Sequence, residues 1–488
     1  MTVRTRFAPS PTGEPHIGNA RSAFFAWLFA RHNHGVFILR IEDTDIERKV
    51  EGSLEKILEG MRWLGMDWDE GPEVGGKYGP YVQSERLALY QDYARKLIES
   101  GHAYHCYCSL ERLDAMRAEQ IKRKLPPGYD RACRNLSESS RKAKEVEGIT
   151  PVVRLKVPLT GQTRFHDLIY GDVVFENSTI DDPVLLKSDG FPTYNFANVV
   201  DDHHMQVTHV MRANEFISST PQHVMLYDAL GWQYPAFAHL PMLLGPDRSK
   251  LGKRHGATSL LEFREQGYLP EAVVNFLALL GWSLDDKTEI MTREELVRHF
   301  TLERVSKTAA IFNHEKLQWM NGMYIRKLAP EDFAARCLPF LEKALPPDVP
   351  RPLDAGYVRQ VTPLVQERAR LLSEVPGLTR YFFTDTLEYD AALLIGKGAD
   401  APATKRMLGV GLERLEKLPG FDAAALEGML RSLAEELQVK TGQLFGALRT
   451  AVSGETATPP LFQMMAVLGR ERCLRRIREA MEKLGAAG

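Results

Sequence analysis

The sequence predicts an α/β protein whose sheet is split by an insertion and followed by a mainly helical C-terminal part. Three observations carry this. Apolar strand patterns alternate with a helical one over the first hundred residues, the texture turns to cysteines, charges and turn residues from about 101, and the α/β alternation resumes near 185 before helical periodicity takes over past 259. At 488 residues the chain exceeds the roughly 250–300 at which a single core stops growing, so several domains are expected.

Residues 3–8 read as a strand and the Pro, Ser, Thr and Gly residues of 9–15 as a loop. Over 18–32, Ala20, Phe24, Trp27 and Leu28 recur at helical spacing. Val36-Phe37-Ile38-Leu39 is an uninterrupted apolar run, the mark of a parallel strand buried on both faces. Strand, crossover helix and strand make a right-handed βαβ unit, continued by helices over 53–64 and 84–99. From about 101 come three clustered cysteines, the charged Ile121-Lys122-Arg123-Lys124, a Pro126-Pro127-Gly128 turn and short strand-like runs over 152–157 and 172–176. The resumed pattern is a strand over 207–211, a helix over 220–230 and a strand over 236–244 leading into a lysine-rich loop. Helices over 270–280 and 293–300 follow, and helices dominate from 331 to 481. The last one carries Arg470, Arg472, Arg475, Arg476 and Arg478.

Composition narrows the class. A net charge of −2 gives no global basic field, although RNA binding can use local stripes. Five cysteines in a chain of this length do not make a disulfide framework. No run approaches the ~18 apolar residues of a membrane span, and 1–6 lack the apolar core of a secretion signal. A cytoplasmic protein with no membrane partner is expected.

Two segments carry chemistry. Helix starts present unpaired N–H groups and a partial positive charge that suit phosphate. At the start of the 18–32 helix, Gly13 and Gly18 let backbone approach a ligand and His16 supplies a donor. Far along the chain, Lys250 and Lys253 flank Gly252 after the turn Gly245-Pro246-Asp247-Arg248. A glycine-containing loop with two cations can close over a triphosphate and stabilise charge at the α-phosphate. Alone, the first reads equally as a capped helix, and the second reads more readily as a solvated charge run. Together they describe a nucleoside triphosphate pocket approached from two sides.

These segments resemble the "HIGH" and "KMSKS" signatures of class I aminoacyl-tRNA synthetases, here His16-Ile17-Gly18-Asn19 and Lys250-Leu251-Gly252-Lys253-Arg254. Arg6-Phe7-Ala8-Pro9-Ser10-Pro11-Thr12-Gly13, Leu39-Arg40-Ile41-Glu42-Asp43-Thr44-Asp45 and Tyr194-Asn195-Phe196-Ala197-Asn198-Val199-Val200-Asp201-Asp202 resemble bacterial glutamyl-tRNA synthetases. So do Trp319-Met320-Asn321-Gly322 and Pro459-Pro460-Leu461-Phe462. The resemblance implies a split Rossmann-type catalytic domain (1–100 and 185–258, the second half bearing the lysine loop). It also implies an inserted α+β connective domain for the acceptor stem (101–184), then all-α stem-contact (259–325) and anticodon-binding (326–488) domains. It further implies a monomer that joins glutamate to ATP, with Mg²⁺, as glutamyl-adenylate and transfers it to the 3′-terminal adenosine of tRNA(Glu). Charging of tRNA(Gln) as well, or a catalytically inactive tRNA-binding regulator, are the alternatives. The sequence leaves the choice between one tRNA and two open.

In that frame His16 and Lys253 are catalytic groups on the phosphates, assisted by Lys250, and Gly13, Gly18, Asn19 and Arg254 complete the ATP contacts. Asn19 stands for the second histidine of the signature and Gly252 for its usual serine, which removes a hydroxyl donor. Arg6 and Arg212 suit the two carboxylates of glutamate through bidentate pairing, with Arg6 favoured for the side chain. Glu42, helped by Ser10, would accept from the ammonium, and Tyr194 and Asn198, four apart, would share a helix face. Arg368 first, then Arg370, are the anticodon candidates. Cys106, Cys108 and Cys133 match a zinc pattern whose fourth position is Asn135, a poor ligand, with His102 or His105 as substitutes. The short ligand count favours lost or weak zinc binding over a full structural site.

Overall fold

The computed structural model describes residues 2–13, 15–45, 50–256 and 258–486. They divide into two compact units, Met1–Phe263 with Pro270–His314, and Arg264–Leu269 with Glu315–Gly488.

In the first unit, strand β1 (Arg4–Phe7), helix α1 (Ile17–His32) and strand β2 (Val36–Leu39) form the expected βαβ unit, paired in parallel from Arg4↔Val36 to Phe7↔Leu39. Helical spacing marked one apolar stripe on α1, but Ala23, Phe25, Ala26 and Ala30 are buried as well. A helix apolar on all sides is covered on all sides, here by the sheet and by later helices, with Phe25 edge-on to Phe300 at 5.2 Å. Helices α2 (Ser53–Trp63) and α3 (Leu87–Glu99) lead to β3 (Ala103–Cys106), α4 (Leu110–Lys122), α5 (Glu138–Val146), β4 (Val152–Leu155), β5 (Gln162–Asp167), β6 (Gly171–Glu176) and β7 (Val184–Leu186). Then come α6 (Tyr194–His204), β8 (His209–Ala213), α7 (Thr220–Ala229), β9 (Ala236–Leu240) and β10 (Leu243–Leu244).

β3, β4 and β7 make an antiparallel sheet, while β6–β5–β9–β8 is mixed, with β8 and β9 parallel. The β5–β6 hairpin, which falls within 101–184, therefore joins the central sheet, pairing with β9 at Asp167↔Phe237. β1 runs beside the start of β8, where Thr208 N–H donates to the Arg4 carbonyl at 2.9 Å. Strand order thus reverses between β1 and β8, and open α/β sheets bind ligands beyond the carboxyl ends of strands at such a point. The strand expected over 236–244 is broken at Pro241, which has no N–H for a ladder. β10 instead pairs in parallel with β11 (Ala310–Ile311), after α8 (Leu260–Glu265), α9 (Pro270–Leu279) and α10 (Arg293–His299).

The second unit is helical as expected: α11 (His314–Lys327), α12 (Pro330–Ala344), α13 (Ala355–Val361), α14 (Val375–Phe383), α15 (Ala401–Lys417), α16 (Ala423–Glu436), α17 (Thr441–Ser453), α18 (Leu461–Leu468) and α19 (Arg470–Ala486). Leu408, Leu430, Leu448, Met465 and Ile477 sit in its core. The arginines of α19 mostly hold this fold together. Arg476 is buried and donates to the carbonyls of Val452, Tyr381 and Thr384 at 2.6–2.8 Å, meeting acceptors that the ends of α17 and α14 leave unpaired. Arg472 reaches the Phe382 carbonyl, and Arg478 pairs with Glu416. Among the described residues no helix is long and apolar enough to cross a membrane.

Candidate functional site

The carboxyl ends of β1 and β2 stand over a buried charge network. Arg6 donates to Asp202 at 3.1–3.3 Å and to Asn198 Oδ1 at 3.3 Å. Arg40 donates to Asp202 at 2.7 Å and to Glu42 Oε1 at 2.9 Å. Asn198 returns a bond to Glu42 Oε1 at 3.0 Å. Asp201 takes Arg86 at 2.7 Å, Tyr90 at 2.8 Å and Gln83 at 2.9 Å. Three guanidiniums (Arg6, Arg40, Arg86) thus face three carboxylates (Glu42, Asp201, Asp202), all buried. Such balance lets charges leave water. Burial opposes ionised Asp202, but Arg6 and Arg40 hold its carboxyl below the usual range. Burial pushes the Glu42 carboxyl up, against the pull of Arg40 and Arg6. The structure brings Arg6, Glu42 and Asn198 together, and it seats Tyr194 and Asn198 one turn apart on α6, as their spacing predicts. Ser10 is exposed on the neighbouring loop, and Glu42 N–H donates to the Pro9 carbonyl at 3.0 Å.

Arg212, at the end of β8, differs from Arg6. It is 5% exposed, yet its partners are neutral: His239 Nε2 at 3.2 Å, Thr220 Oγ1 at 2.9 Å and His223 Nδ1 at 3.5 Å. No carboxylate pairs with it among the described residues. Burial lowers its pKa, with the nearby Tyr194 hydroxyl pulling the other way. A buried cation without a counter-ion is costly, and a bound anion removes that cost.

His16 caps α1. Its Nδ1 accepts Gly18 N–H at 3.0 Å, so in the neutral ring the proton sits on Nε2, which is a donor. Burial and the charge of Lys250 lower its pKa. Gly18 fits because a Cβ there would come within 3.2 Å of His16 Nδ1, whereas a Cβ on Gly13 would meet nothing within 4 Å. One expectation is corrected. The first amides of α1 are not unpaired: Ile17 N–H donates to the Thr258 carbonyl at 2.8 Å, Gly18 N–H to His16 Nδ1 at 3.0 Å and Asn19 N–H to the His16 carbonyl at 2.9 Å. The segment following the lysine loop fills that role by bridging His16 to Ser259. Side chains, not free amides, are what this helix start offers a phosphate.

Lys250 is exposed and donates to Glu215 Oε2 at 2.8 Å, just past the end of β8. Arg254 folds back onto its own loop, 3.4 Å from Asp247 Oδ2. Asn19 is exposed on the first turn. The Lys253 side chain lies outside the described residues.

The three cysteines converge, their sulfurs all within 4.8 Å of one another. Neither Asn135, which is exposed, nor His102, bonded to Ser100 Oγ at 3.0 Å, joins them, and His105 is not in the group. The Tyr129 hydroxyl does: it lies 3.2 Å from Cys106 Sγ and 3.6 Å from Cys108 Sγ. Arg154 stacks over the Tyr129 ring at 4.0 Å and Arg112 donates to Cys108 Sγ at 3.3 Å. Three cysteine sulfurs and a phenol oxygen, with the Arg154 guanidinium beside them, can hold a tetrahedral dication such as zinc.

In the helical unit Arg368 and Arg370 are exposed, and neither has an ion-pair partner among the described residues. The Arg368 charge reaches Arg449, whose pKa falls through burial and that neighbour. Sequence reasoning gave no role to Arg40, Asp201, Asp202, Tyr129 or Arg449. Two signals were available: Asp202 lies four residues after Asn198 on one helix face, and Tyr129 lies four before Cys133.

Residues 2–319 match a family model described as tRNA synthetases class I (E and Q), catalytic domain, and 332–481 match an anticodon binding domain. The chain is 58% identical to the glutamate–tRNA ligase of Dehalococcoides mccartyi (strain CBDB1), over 99% of this chain and 98% of that one. It is 52% identical to the glutamate–tRNA ligase of Moorella thermoacetica, over 98% of each. The crystal structure of a glutamate tRNA ligase from Elizabethkingia meningosepticum in complex with its amino acid superposes with a TM-score of 0.90 at 36% identity, covering 99% of this chain and 100% of that one. With its paired charges, capped histidine and helical second unit, the chain belongs to the glutamate–tRNA ligases, within the class I tRNA synthetases (E and Q).

Proposed function

We propose that this chain activates glutamate with ATP as glutamyl-adenylate and passes the glutamyl group to the 3′-terminal adenosine of tRNA(Glu). The observation that carries the reading is Arg212, a buried guanidinium held only by neutral acceptors. We assign it the side-chain carboxylate of glutamate, since Arg6 is already engaged by Asp202. Glu42, whose Oε1 is taken by Arg40 and Asn198, offers its other oxygen to the ammonium, with Ser10 and Tyr194 beside it. The attacking α-carboxylate is already ionised, so the first step needs no general base. Positioning and charge stabilisation at the α-phosphate do the work. His16 Nε2–H, Lys250 and Lys253 supply donors there, along Gly13, Gly18, Asn19 and Arg254. Mg²⁺ accompanies ATP and neutralises phosphate charge.

Arg368, with Arg449 near it, and Arg370 read the anticodon from the helical unit. Cys106, Cys108, Cys133 and Tyr129 hold a zinc ion that stiffens the inserted segment. The protein acts as a cytoplasmic monomer, with residues 101–184 on the acceptor stem, 259–325 on the stem and 326–488 on the anticodon.

The test is ATP–pyrophosphate exchange with and without tRNA, followed by charging of purified tRNA(Glu) and tRNA(Gln) in parallel. Glutamate-dependent exchange and charging of tRNA(Glu) are expected. No exchange under either condition, with tRNA still bound, would favour an inactive regulator. Charging of both tRNAs would identify the broader ligase.

A further inference from the structure

We propose that two histidines of opposite tautomer, His239 held by Asp167 and His223 held by Asn195, are positioning residues that orient Arg212 and keep its charge uncancelled for the side-chain carboxylate of the substrate. This rests on the reading of Arg212 as the receptor of that carboxylate.

The argument is one of donors and acceptors. A guanidinium has five N–H donors and no acceptor, and a neutral imidazole accepts at one nitrogen only if the other keeps the proton. Which nitrogen that is depends on the bond the other makes. Asp167 is fully buried. Its Oδ2 lies 2.6 Å from His239 Nδ1 and also accepts His239 backbone N–H at 3.1 Å. An ionised carboxylate only accepts, so the proton sits on Nδ1 and the bare Nε2 faces Arg212 Nε at 3.2 Å. His223 is reversed. Its Nε2 lies 2.9 Å from Asn195 Oδ1, so Nδ1 is bare and faces Arg212 Nη1 at 3.5 Å. Thr220 has one hydroxyl proton, which the Phe216 carbonyl at 2.8 Å and the bare His239 Nε2 at 3.1 Å both face, and its oxygen accepts from Arg212 Nη2 at 2.9 Å.

Burial keeps both rings neutral, with the Arg212 charge acting in the same direction. Burial also opposes ionised Asp167, but the bond from His239 and those from the Tyr170 and Ile169 amides keep its pKa below the ordinary value. Every acceptor around Arg212 is therefore neutral, whereas Arg6 and Arg40 meet the charge of Asp202. An uncancelled cation in a low-dielectric pocket attracts a carboxylate over the uncharged amide of glutamine. The arrangement draws on β5, α6, α7, β8 and β9, which explains why a hairpin from within 101–184 is hydrogen-bonded into the catalytic sheet.

Nitrogen-15 NMR of histidine-labelled full-length protein reads the tautomers directly. The expected result is Nδ1–H with bare Nε2 for His239 and the reverse for His223. The same tautomer for both, or a protonated ring at neutral pH, overturns the proposal. Asp167→Asn offers an amide N–H to His239 Nδ1 and drives the ring proton to Nε2, against Arg212. Glutamate KM in ATP–pyrophosphate exchange should rise about 10- to 100-fold, the loss of one charged hydrogen bond, with ATP KM unchanged. Because Asp167 also accepts the Ile169 and Tyr170 amides at 2.9 Å, Thr220→Val serves as the second variant and should show the same split. If Arg212→Ala abolishes glutamate use while both variants keep glutamate KM, the positioning role alone fails. If Arg212→Ala itself leaves glutamate KM unchanged, the receptor reading beneath it fails.

Discussion

Replacing Asp202 with asparagine tests whether charge balance beneath the site holds the catalytic unit together. Asp202 is 2% exposed and takes Arg6 at 3.1 Å and Arg40 at 2.7 Å. Asparagine keeps the size and one acceptor oxygen but removes the charge, leaving Arg6, Arg40 and Arg86 against Glu42 and Asp201. Removing one partner of a buried ion pair costs about 3–5 kcal/mol. The retained acceptor puts this change at the lower end, about 3 kcal/mol. At roughly 1.5 °C per kcal/mol for a unit of this size, its calorimetric transition should fall by about 4–5 °C. The double variant Arg6→Met, Asp202→Leu leaves two charges of each sign and should recover at least half of the loss. Scanning calorimetry at fixed rate and urea unfolding followed by tryptophan fluorescence measure both. Asp202 has a lowered pKa in the fold, so its contribution is fully present above the unfolded value of about 3.9 and is lost as pH falls through the folded one. The difference between wild type and Asp202→Asn should therefore shrink only in strong acid. A single variant within 1 kcal/mol of wild type, or a double variant less stable than the single, would refute the reasoning.

Gly18→Ala places a methyl 3.2 Å from His16 Nδ1; ATP kcat/KM in pyrophosphate exchange should drop about tenfold, glutamate KM little. His16 has a lowered pKa, so its cap bond is intact above the unfolded value of about 6.5 and is lost as pH falls through the folded value. The acid limb of the exchange profile should lie below 6.5, and Lys250→Ala should move it toward higher pH. Tyr129→Phe keeps the three thiols but removes the phenol oxygen; zinc affinity by chelator competition should weaken about 10- to 100-fold, and an unchanged affinity would exclude the tyrosine as a ligand. Arg476→Met leaves the Val452, Tyr381 and Thr384 carbonyls unmet; the helical unit should lose about 2–4 kcal/mol, seen as an earlier urea midpoint.

Local pattern and tertiary position divided the information unevenly. The βαβ start, the helical C-terminal unit and the pairing of Tyr194 with Asn198 were legible because a 3.6-residue period and an unbroken apolar run are properties of a single segment. The signature segments were legible because turn and helix-start chemistry is local as well. Arg40 and Asp202 escaped notice because their partners lie 162 residues apart in the chain, and no period links them. Tyr129 escaped because a phenol is an uncommon ligand, although it lies four residues before Cys133, and the fold sets its hydroxyl 3.2 Å from Cys106 Sγ. The α1 amides looked open to phosphate because the Thr258 carbonyl that takes one of them comes from the segment before α8, far along the chain.

The sequence by itself determined which elements form and which residue types can meet a triphosphate, two carboxylates and an ammonium, because those are questions of period and side-chain chemistry. Only the tertiary structure decided which arginine has a carboxylate against it. Arg6 and Arg212 are the same residue on paper, and they differ because Asp202 lies against one while two neutral imidazoles and a hydroxyl lie against the other. Counter-charge is a matter of ångströms across the fold, and in a buried site it sets whether a cation is satisfied or still available.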